Sequence, residues 1–486
     1  MFSIGVAMAL GSTMVKVERS WEAEVIYQIF PRSFRDSNGD QIGDFRGIVE
    51  GLPAIQKLGA TTILLNPVCS SRNYHNYFAD DWFSPDPEFG TMADFRALCR
   101  AAHKRGIKVV LDMEPQYTTE KHPWYVATQK DPNSKEAGYY FGLTPDDPFG
   151  KITWWDKTTF PLLTVNLNSE GARHEIARSF LFWRKQGVDG FRIDHMMDDL
   201  DNKHKNKGLL GKLWKPLEEE VTREYPGTWF IGEQADWSSG SAIKDIFSQT
   251  PTDAVFNFWL FSALLSLKKV DVEKALTGSA AVPPAGRTQA NFMELHDLDR
   301  FSSKVTDIRK QKAAAALLFA AKGTPLVYYG QELGMKGLKG NWGSDGNDIP
   351  ARLAYRWGAR LDSKGTARWY AGTGPWDSTA NSADHDGISY AEEDNDPNSL
   401  LNWYRLLIKA RTRSQALSHG DIRMVDHEGE TTVFTRGIGA SQVWVVANLS
   451  DQAVPMPHLP SVAKKELISG YKPPKSLAPW QVVYLK

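Results

Sequence analysis

A handful of charged residues stand at the ends of short apolar runs, where their side chains could act together. Asp112 lies near the end of KVVLDM, residues 108–113. Arg192 and Asp194 end GFRID, residues 190–194, and Glu233 ends TWFIGE, residues 228–233. His296 and Asp297 follow NFMEL, residues 291–295. One carboxylate can attack a carbon that is losing a leaving group. A second, protonated, can donate to the departing oxygen, and a third can steady a cationic transition state. Glycoside cleavage needs the first two, roughly 5–5.5 Å apart when configuration is retained. Arg192 precedes Asp194 by two positions, so in a strand both side chains share a face. The fixed guanidinium charge would pair with Asp194 and aim it. Asp194 is then the candidate nucleophile. Glu233 is the candidate acid/base, which must carry a proton when the leaving oxygen departs. A single strand-end acid is as easily a helix cap or a lysine partner; the whole constellation is hard to explain that way.

Such residues need strands to hold them. Short β-rich runs recur at 25–30, 61–66, 108–113, 190–194, 228–233, 254–258, 291–295 and 325–330. Amphipathic helical stretches separate most of them, for example 92–105, 172–186 and 211–225. Strands alternating with helices predict parallel βα units. Eight such units predict an α/β fold, a (β/α)8 TIM barrel, with chemistry at the C-terminal ends of its strands. No glycine-rich fingerprint follows the first strand, which disfavours a dinucleotide-binding sheet and an organic cofactor.

The spacing also divides the chain. About 75 residues separate the third and fourth runs, far more than one helix needs. This predicts a small inserted domain over 114–172, leaving 21–113 and 173–410 as the barrel. Beyond it, TTVFTRG, SQVWVVANLS and WQVVYLK alternate like short antiparallel strands. They predict a C-terminal antiparallel β domain over 411–486. Residues 1–20 form a lead-in. Its apolar stretch FSIGVAMALG resembles the core of an export signal but lacks a positive start. The chain is therefore expected to be cytoplasmic, or periplasmic or secreted if that stretch is a signal remnant.

The bulk numbers exclude some classes. The formal net charge is −1 and the basic residues at 203–207 are scattered, so nucleic acid is not an expected partner. No run reaches the length of a membrane span. Aromatics are plentiful, with 17 Trp, 16 Tyr and 23 Phe. Flat rings suit the apolar faces of sugars, although a large core uses them too. Trp82, Trp124, Trp154, Trp155 and Trp237 are candidate sugar platforms, and His75 and His122 could line the site. Asp198, Asp199 and Asp201 with Asn202 form either a solvated loop or contacts to more distant sugars. Cys69 and Cys99 are expected as buried free thiols, since a large domain needs no staple. Nothing in the sequence speaks to oligomeric state.

Several motifs, in order, carry a family resemblance: VIYQIFPRSF, DSNGDQIGDF, DPEFGT, GVDGFRID, FIGE, LHD and GTPLVYYGQELGM. Over residues 25–335 the chain resembles the α-amylase family, family 13 of the glycoside hydrolases. The resemblance implies Asp194 as nucleophile, Glu233 as acid/base and Asp297 as transition-state stabiliser. It implies Arg192 and His296 as contacts in the subsite before the scissile bond, with Tyr77 as stacking platform there and Asp112 beside them. The implied substrate is an α-glucoside or α-gluco-oligosaccharide. A transglycosidase using the same residues is the first alternative, and an inactive sugar-binding member is the second.

The chain departs from the family pattern around these residues. Gln116 and Tyr117 stand where Asn-His is usual, so the Tyr117 hydroxyl is the substitute contact. Leu295 replaces the Asn of Asn-His-Asp. Phe78 stands where exo-acting members often carry Asp, and the run after the nucleophile, His195-Met196-Met197-Asp198, lacks the usual Lys-His pair. Val165-Asn166-Leu167-Asn168 replaces a segment close to Pro-Asp-Leu-Asn. The expectation is neither an ordinary α-amylase nor an ordinary α-glucosidase.

One further motif suggests a metal. DSNGDQIGD places Asp36, Asn38, Asp40 and Asp44 at alternating positions, with the carbonyl of Ile42 between. Hard oxygen ligands suit Ca2+. It is not an EF-hand, because Gln41 takes the glycine position. The expected role is structural and remote from the chemistry; the competing reading is an Asx turn without an ion.

Overall fold

The computed structural model describes residues 21–141, 152–153, 159–160, 162–200, 205–376, 380, 382–425, 430–459 and 465–486. The lead-in at 1–20, Trp154, Trp155, Asp201, Asn202 and residues 203–204 lie outside the described residues.

Eight parallel strands close into a barrel. They are β1 (Ile26–Ile29), β2 (Thr62–Leu65), β3 (Lys108–Met113), β4 (Gly190–Ile193), β5 (Trp229–Gly232), β6 (Ala254–Phe256), β7 (Thr288–Asn291) and β8 (Thr324–Tyr328). Closure is made by β1, which pairs with both β2 and β8. Alternate residues divide the barrel as the pleat requires. Ile26, Leu64, Val110, Ile231, Ala254, Phe256, Ala290 and Leu326 fill the interior. Tyr27, Ile63, Val109, Leu111, Phe191 and Val327 belong instead to the larger core that includes the helices. The expected (β/α)8 barrel is therefore the observed fold.

The seventh strand differs from its expected position. It spans Thr288–Asn291, not 291–295. Its ladder to β6 pairs Ala254 with Thr288 and Phe256 with Ala290. Asn291 then accepts from Asn257 at 2.8 Å and donates to the Lys322 carbonyl at 2.9 Å. The apolar residues that follow made the later stretch look like a strand. Phe292 and Leu295 pack into the barrel interior instead. His296 and Asp297 thus stand on a loop beyond the strand.

The insertion after β3 contains a short antiparallel pair, Tyr117–Thr118 with Leu163–Thr164, and a helix at Pro123–Lys130. The helix Glu170–Lys185 starts within the expected insert, because Ser169 caps it by accepting from Ala172 N. At the other end the helix Leu400–Thr412 runs through residue 411, held by buried Leu401, Leu407 and Ile408. The C-terminal sheet begins later. Its strands β9 (Asp421–Met424), β10 (Thr431–Ile438), β11 (Ser441–Asn448) and β12 (Val482–Leu485) are antiparallel in that order. Cys69 and Cys99 are free and buried, as expected. Among the described residues no helix is long and apolar enough to cross a membrane.

Two buried arginines dock the C-terminal part onto the barrel. Arg411 donates to the carbonyls of Phe319 at 3.0 Å and Glu22 and Leu417 at 2.8 Å. Arg436 donates to the carbonyls of Ala320 and Ala321, both at 2.7 Å, and of Gly420 at 2.6 Å. Among the described residues neither has a carboxylate in ion-pair contact. Burial pulls Arg411 down to about 10 and Arg436 down to about 9. These cations serve as anchors for carbonyls that would otherwise be buried unpaired. Arg436→Met should cost about 2–4 kcal/mol and lower Tm in thermal unfolding. It should leave kcat/KM at the distant barrel mouth unchanged.

Candidate active site

The strand ladders explain how the charged residues meet. Asp112 on β3 and Arg192 on β4 are direct register neighbours. The ladder continues one residue past the strands, with Asp194 N donating to Met113 O and Glu233 N to Ile193 O, both at 3.0 Å. Asp194 and Glu233 therefore leave adjacent strands at the same height.

Arg192 is fully buried and binds all three acids. Its Nη1 lies 2.7 Å from Asp112 Oδ1 and 2.6 Å from Asp194 Oδ1. Its Nη2 lies 2.7 Å from Glu233 Oε2. Below it the Phe256 ring centroid is 5.4 Å from the guanidinium carbon. Asp112 is turned inward and receives further donors: Tyr77 OH at 2.6 Å and Asn66 Nδ2 at 3.3 Å. Asp194 and Glu233 instead line a cavity of about 450 Å3 at the barrel mouth. One oxygen from each, and a ring nitrogen of His195, lie within 4.8 Å of one another. Such a trio could chelate a cation in another setting. Here Arg192 already supplies the positive charge between the carboxylates.

His195 follows Asp194 in a left-handed conformation, with φ 44°, which is uncommon for a residue with a side chain. The turn points its N–H at Glu233 Oε2, 3.2 Å away. Gln116 holds the turn from outside. Its Nε2 donates to the carbonyls of Asp194 at 2.9 Å and His195 at 3.2 Å. Burial would lower the His195 imidazole, yet the carboxylates of Asp194 and Glu233 carry it above its ordinary value.

Of the expected subsite residues, Tyr77, Tyr117 and His296 line the same cavity, whereas Arg192 and Asp112 are fully buried and do not line it. Tyr77 and His296 stack with centroids 5.3 Å apart, and the Tyr77 hydroxyl also lies 2.6 Å from His296 Nε2. Asp297 stands opposite Asp194 and Glu233 in the cavity wall. It contacts His296 Nε2 at 2.9 Å and Arg352 Nη2 at 2.8 Å. Burial alone would raise its carboxyl, but His296, Arg352 and Lys339 hold it well below the usual carboxylate range. Tyr117 lines the cavity and packs with Tyr77, Phe78 and Leu162. Leu295 does not face Asp112; it fills the barrel interior.

Other expectations divide. His75 lines the cavity, 3.2 Å from Asp345. His122 does not: it is buried between Trp82 and Trp124, where burial pushes it down to about 3. Trp82 and Trp124 are core residues. Trp237 is 47% exposed on the cavity rim, backed by Phe258, and among the described candidate tryptophans it is the one that lines the cavity. Asp198 is a helix anchor that accepts from Leu210 N at 3.0 Å, and Asp199 faces Lys207 at 3.9 Å.

Four residues of the site were not expected. Asn66 ends β2 just as Asp112 and Asp194 end their strands, and the same strand-end rule would have found it. Gln28 is a polar residue inside β1; its amide reaches Asn66 Oδ1 at 3.2 Å and His296 Nδ1 at 3.1 Å. Glu114 lies two residues beyond Asp112 and lines the cavity. Arg352 comes from a short helix, Asp345–Arg352, beyond β8, and no local pattern marks it.

The loop DSNGDQIGD is wound by its own side chains. Asp36 accepts from the backbone N–H groups of Asn38, Gly39 and Gln41, and Asp40 from that of Ile42. Asp44 caps the next helix by accepting from Gly47 N at 2.7 Å. Among the described residues no Lys or Arg is ion-paired with Asp36, Asp40 or Asp44. Their three carboxylates do not meet within 4.8 Å; only Asp194, His195 and Glu233 do so.

Comparison with known proteins agrees with this geometry. The family model for the α-amylase catalytic domain matches residues 28–420. The chain belongs to the α-amylase family. It is 28% identical to α-amylase 3 of Dictyoglomus thermophilum, covering 88% of this chain and 84% of the relative. It is 26% identical to an oligo-1,6-glucosidase of Parageobacillus thermoglucosidasius, covering 93% and 94%. The solved α-amylase of H. orenii superposes with TM-score 0.78 at 26% identity, covering 95% of this chain and 99% of that one. The protein is thus a glycosidase acting on glycosyl bonds.

Arg192 cannot be replaced by a shorter cation. Arg192→Lys places one point charge where a planar fork spans three carboxylates. It should lower kcat/KM on any substrate by about 10^3-fold or more, the scale of lost preorganised electrostatics. Thermal unfolding alongside the kinetics separates this effect from misfolding.

Proposed function

We propose that the protein cleaves α-glucosidic bonds in α-glucosides or α-gluco-oligosaccharides with retention of configuration, through a covalent glycosyl-enzyme intermediate. The observation that carries this reading is the approach of Asp194 and Glu233 oxygens to within 4.8 Å. Inverting enzymes need roughly 6.5–9.5 Å to seat a water between the two groups. Asp194 attacks the anomeric carbon, and Glu233 protonates the departing oxygen. A water or a sugar hydroxyl, deprotonated by Glu233, then releases the glycosyl group from Asp194. Asp297 faces the same centre as an ionised carboxylate that steadies the cationic transition state. Tyr77 and His296 form the platform beneath that sugar, and Arg352 holds Asp297 in place.

The half-exposed Trp237 on the rim favours a second sugar stacking beyond the bond. That sugar is either a leaving group or an acceptor, so transfer competes with hydrolysis. The gathering of all three acids around the cavity speaks against an inactive sugar-binding member. Asp194→Ala should fold normally and lose at least about 10^4-fold in kcat. NMR of the first product from maltotriose should show the α anomer. An initial β anomer would remove the nucleophilic role of Asp194, and longer oligosaccharides would move the reading to a transglycosidase.

We also propose a structural Ca2+ at the loop, held by Asp36, Asn38, Asp40, the Ile42 carbonyl and Asp44. Support comes from the chemistry of the donors: hard oxygens only, with three carboxylates that no Lys or Arg among the described residues pairs with. Bound Ca2+ would add stability and take no part in the reaction. EDTA should lower Tm by several degrees and added Ca2+ restore it; a Tm indifferent to both would leave the loop as an Asx turn.

A further inference from the structure

The cavity contains a carboxyl group for which the three-acid mechanism has no use. Glu114 lines the cavity beside Asp194 and is 5% exposed. Its position is fixed by the turn that follows β3. Gln116 N donates to its Oε1 at 2.6 Å and Tyr117 N to its Oε2 at 3.0 Å. The other cavity acids each have a basic partner. Asp194 and Glu233 share Arg192, Asp297 and Asp348 meet Arg352 and Lys339, and Asp345 faces His75. Among the described residues Glu114 alone in this wall has no such partner.

We propose that Glu114 is a fourth carboxyl group of the site, one that meets a hydroxyl of the bound sugar and selects the substrate by that hydroxyl. The inference rests on the glycosidase reading above. Two backbone donors would hold the group in one rotamer whatever its charge. The nearest charged groups are Asp194 at the end of β4 and Asp112 on β3, both like-charged, and Arg192 is spent on those two and Glu233. Burial, and then the Asp194 charge, raise the Glu114 carboxyl well above the usual range. That shift favours the protonated form, which offers an O–H donor beside the sugar. A cavity built to hydrogen-bond a substrate hydroxyl discriminates strongly against an analogue lacking it, because its own polar group is left unpaired. The site loses that donor as pH rises through the raised pKa.

A turn-capping role alone makes a different prediction, and deoxy sugars separate the two. The probes are p-nitrophenyl α-glucoside and its four monodeoxy analogues, with wild type, Glu114→Ala and Glu114→Gln. Glu114→Ala should lose about 10–100-fold in kcat/KM on the parent, mostly through KM, and match wild type on one analogue. Glu114→Gln, which still donates but can accept from only one of the two backbone N–H groups, should retain more kcat/KM on the parent than Glu114→Ala. In wild type the ratio of kcat/KM, parent over that analogue, should fall with rising pH; in Glu114→Gln it should be flat. The ratio cancels any pH effect common to parent and analogue, and the wild-type measurement needs no variant to fold. An equal loss on every analogue, a change in Tm alone, or a wild-type ratio independent of pH on all four would overturn the proposal. Absence of wild-type turnover on any α-glucoside would overturn the glycosidase reading and this inference together.

Discussion

One guanidinium organises the mouth of this barrel. Arg192 is fully buried on β4 and touches three carboxylates from three adjacent strands. A buried cation is costly to desolvate unless it is well paired. Here three carboxylates face one guanidinium, so acids outnumber the cation, although its Nε and Nη2 make no well-formed hydrogen bond. That excess has two consequences. It is attractive to a carbon that becomes positive during bond cleavage, and it forces the surroundings to supply donors. Tyr77 and Asn66 satisfy Asp112, and the His195 N–H serves Glu233. Asp112 is the inward anchor of the cluster; Asp194 and Glu233 keep a face toward the cavity.

A second charged group stands across the cavity. Asp297 is pinned by His296 and by Arg352, which also receives Asp348. The two groups are joined by the Tyr77–His296 stack, since Tyr77 touches Asp112 on one side and His296 on the other. Gln28 and Asn66 tie that stack to the barrel strands. A displacement of either acid group would break hydrogen bonds in the other. The geometry needed for reaction is thus held by a connected polar network above an apolar barrel filled by Phe256, Ile231 and Val110. Such a network is strong when every member is satisfied and costly when one is lost.

The barrel and the charged residues at its strand ends were legible because strand and chemistry coincide in this fold. A short apolar run that ends in a charged residue marks both a strand and a site, and Asp112, Arg192, Asp194 and Glu233 all have that form. The rule failed where the two separate. His296 and Asp297 follow an apolar stretch that belongs to the barrel interior, so β7 was placed a few residues late. Arg352 comes from a short helix after β8, and only folding brings it to Asp297. His122 and Trp82 have the right residue types for a sugar site, but burial depends on the three-dimensional path of the insertion. Periodicity cannot distinguish a ring that meets sugar from one that packs against its neighbours.

The departures from the family pattern gain meaning from the same network. Gln116 stands where Asn is usual, and its longer side chain reaches the carbonyls of Asp194 and His195. It stabilises the left-handed turn that aims the His195 N–H at Glu233. Leu295 has left the polar network altogether and joined the barrel interior, while Asn66 holds Asp112. These substitutions therefore fall on the supports of the reacting groups, and each support has been replaced by another contact. The wall of the cavity has changed more freely: Tyr117, Phe78 and His195 present a different pattern of rings and donors there. Under the proposed mechanism such changes leave bond breaking in place and shift the choice of substrate, because supports fix the reacting atoms while the wall meets the hydroxyls.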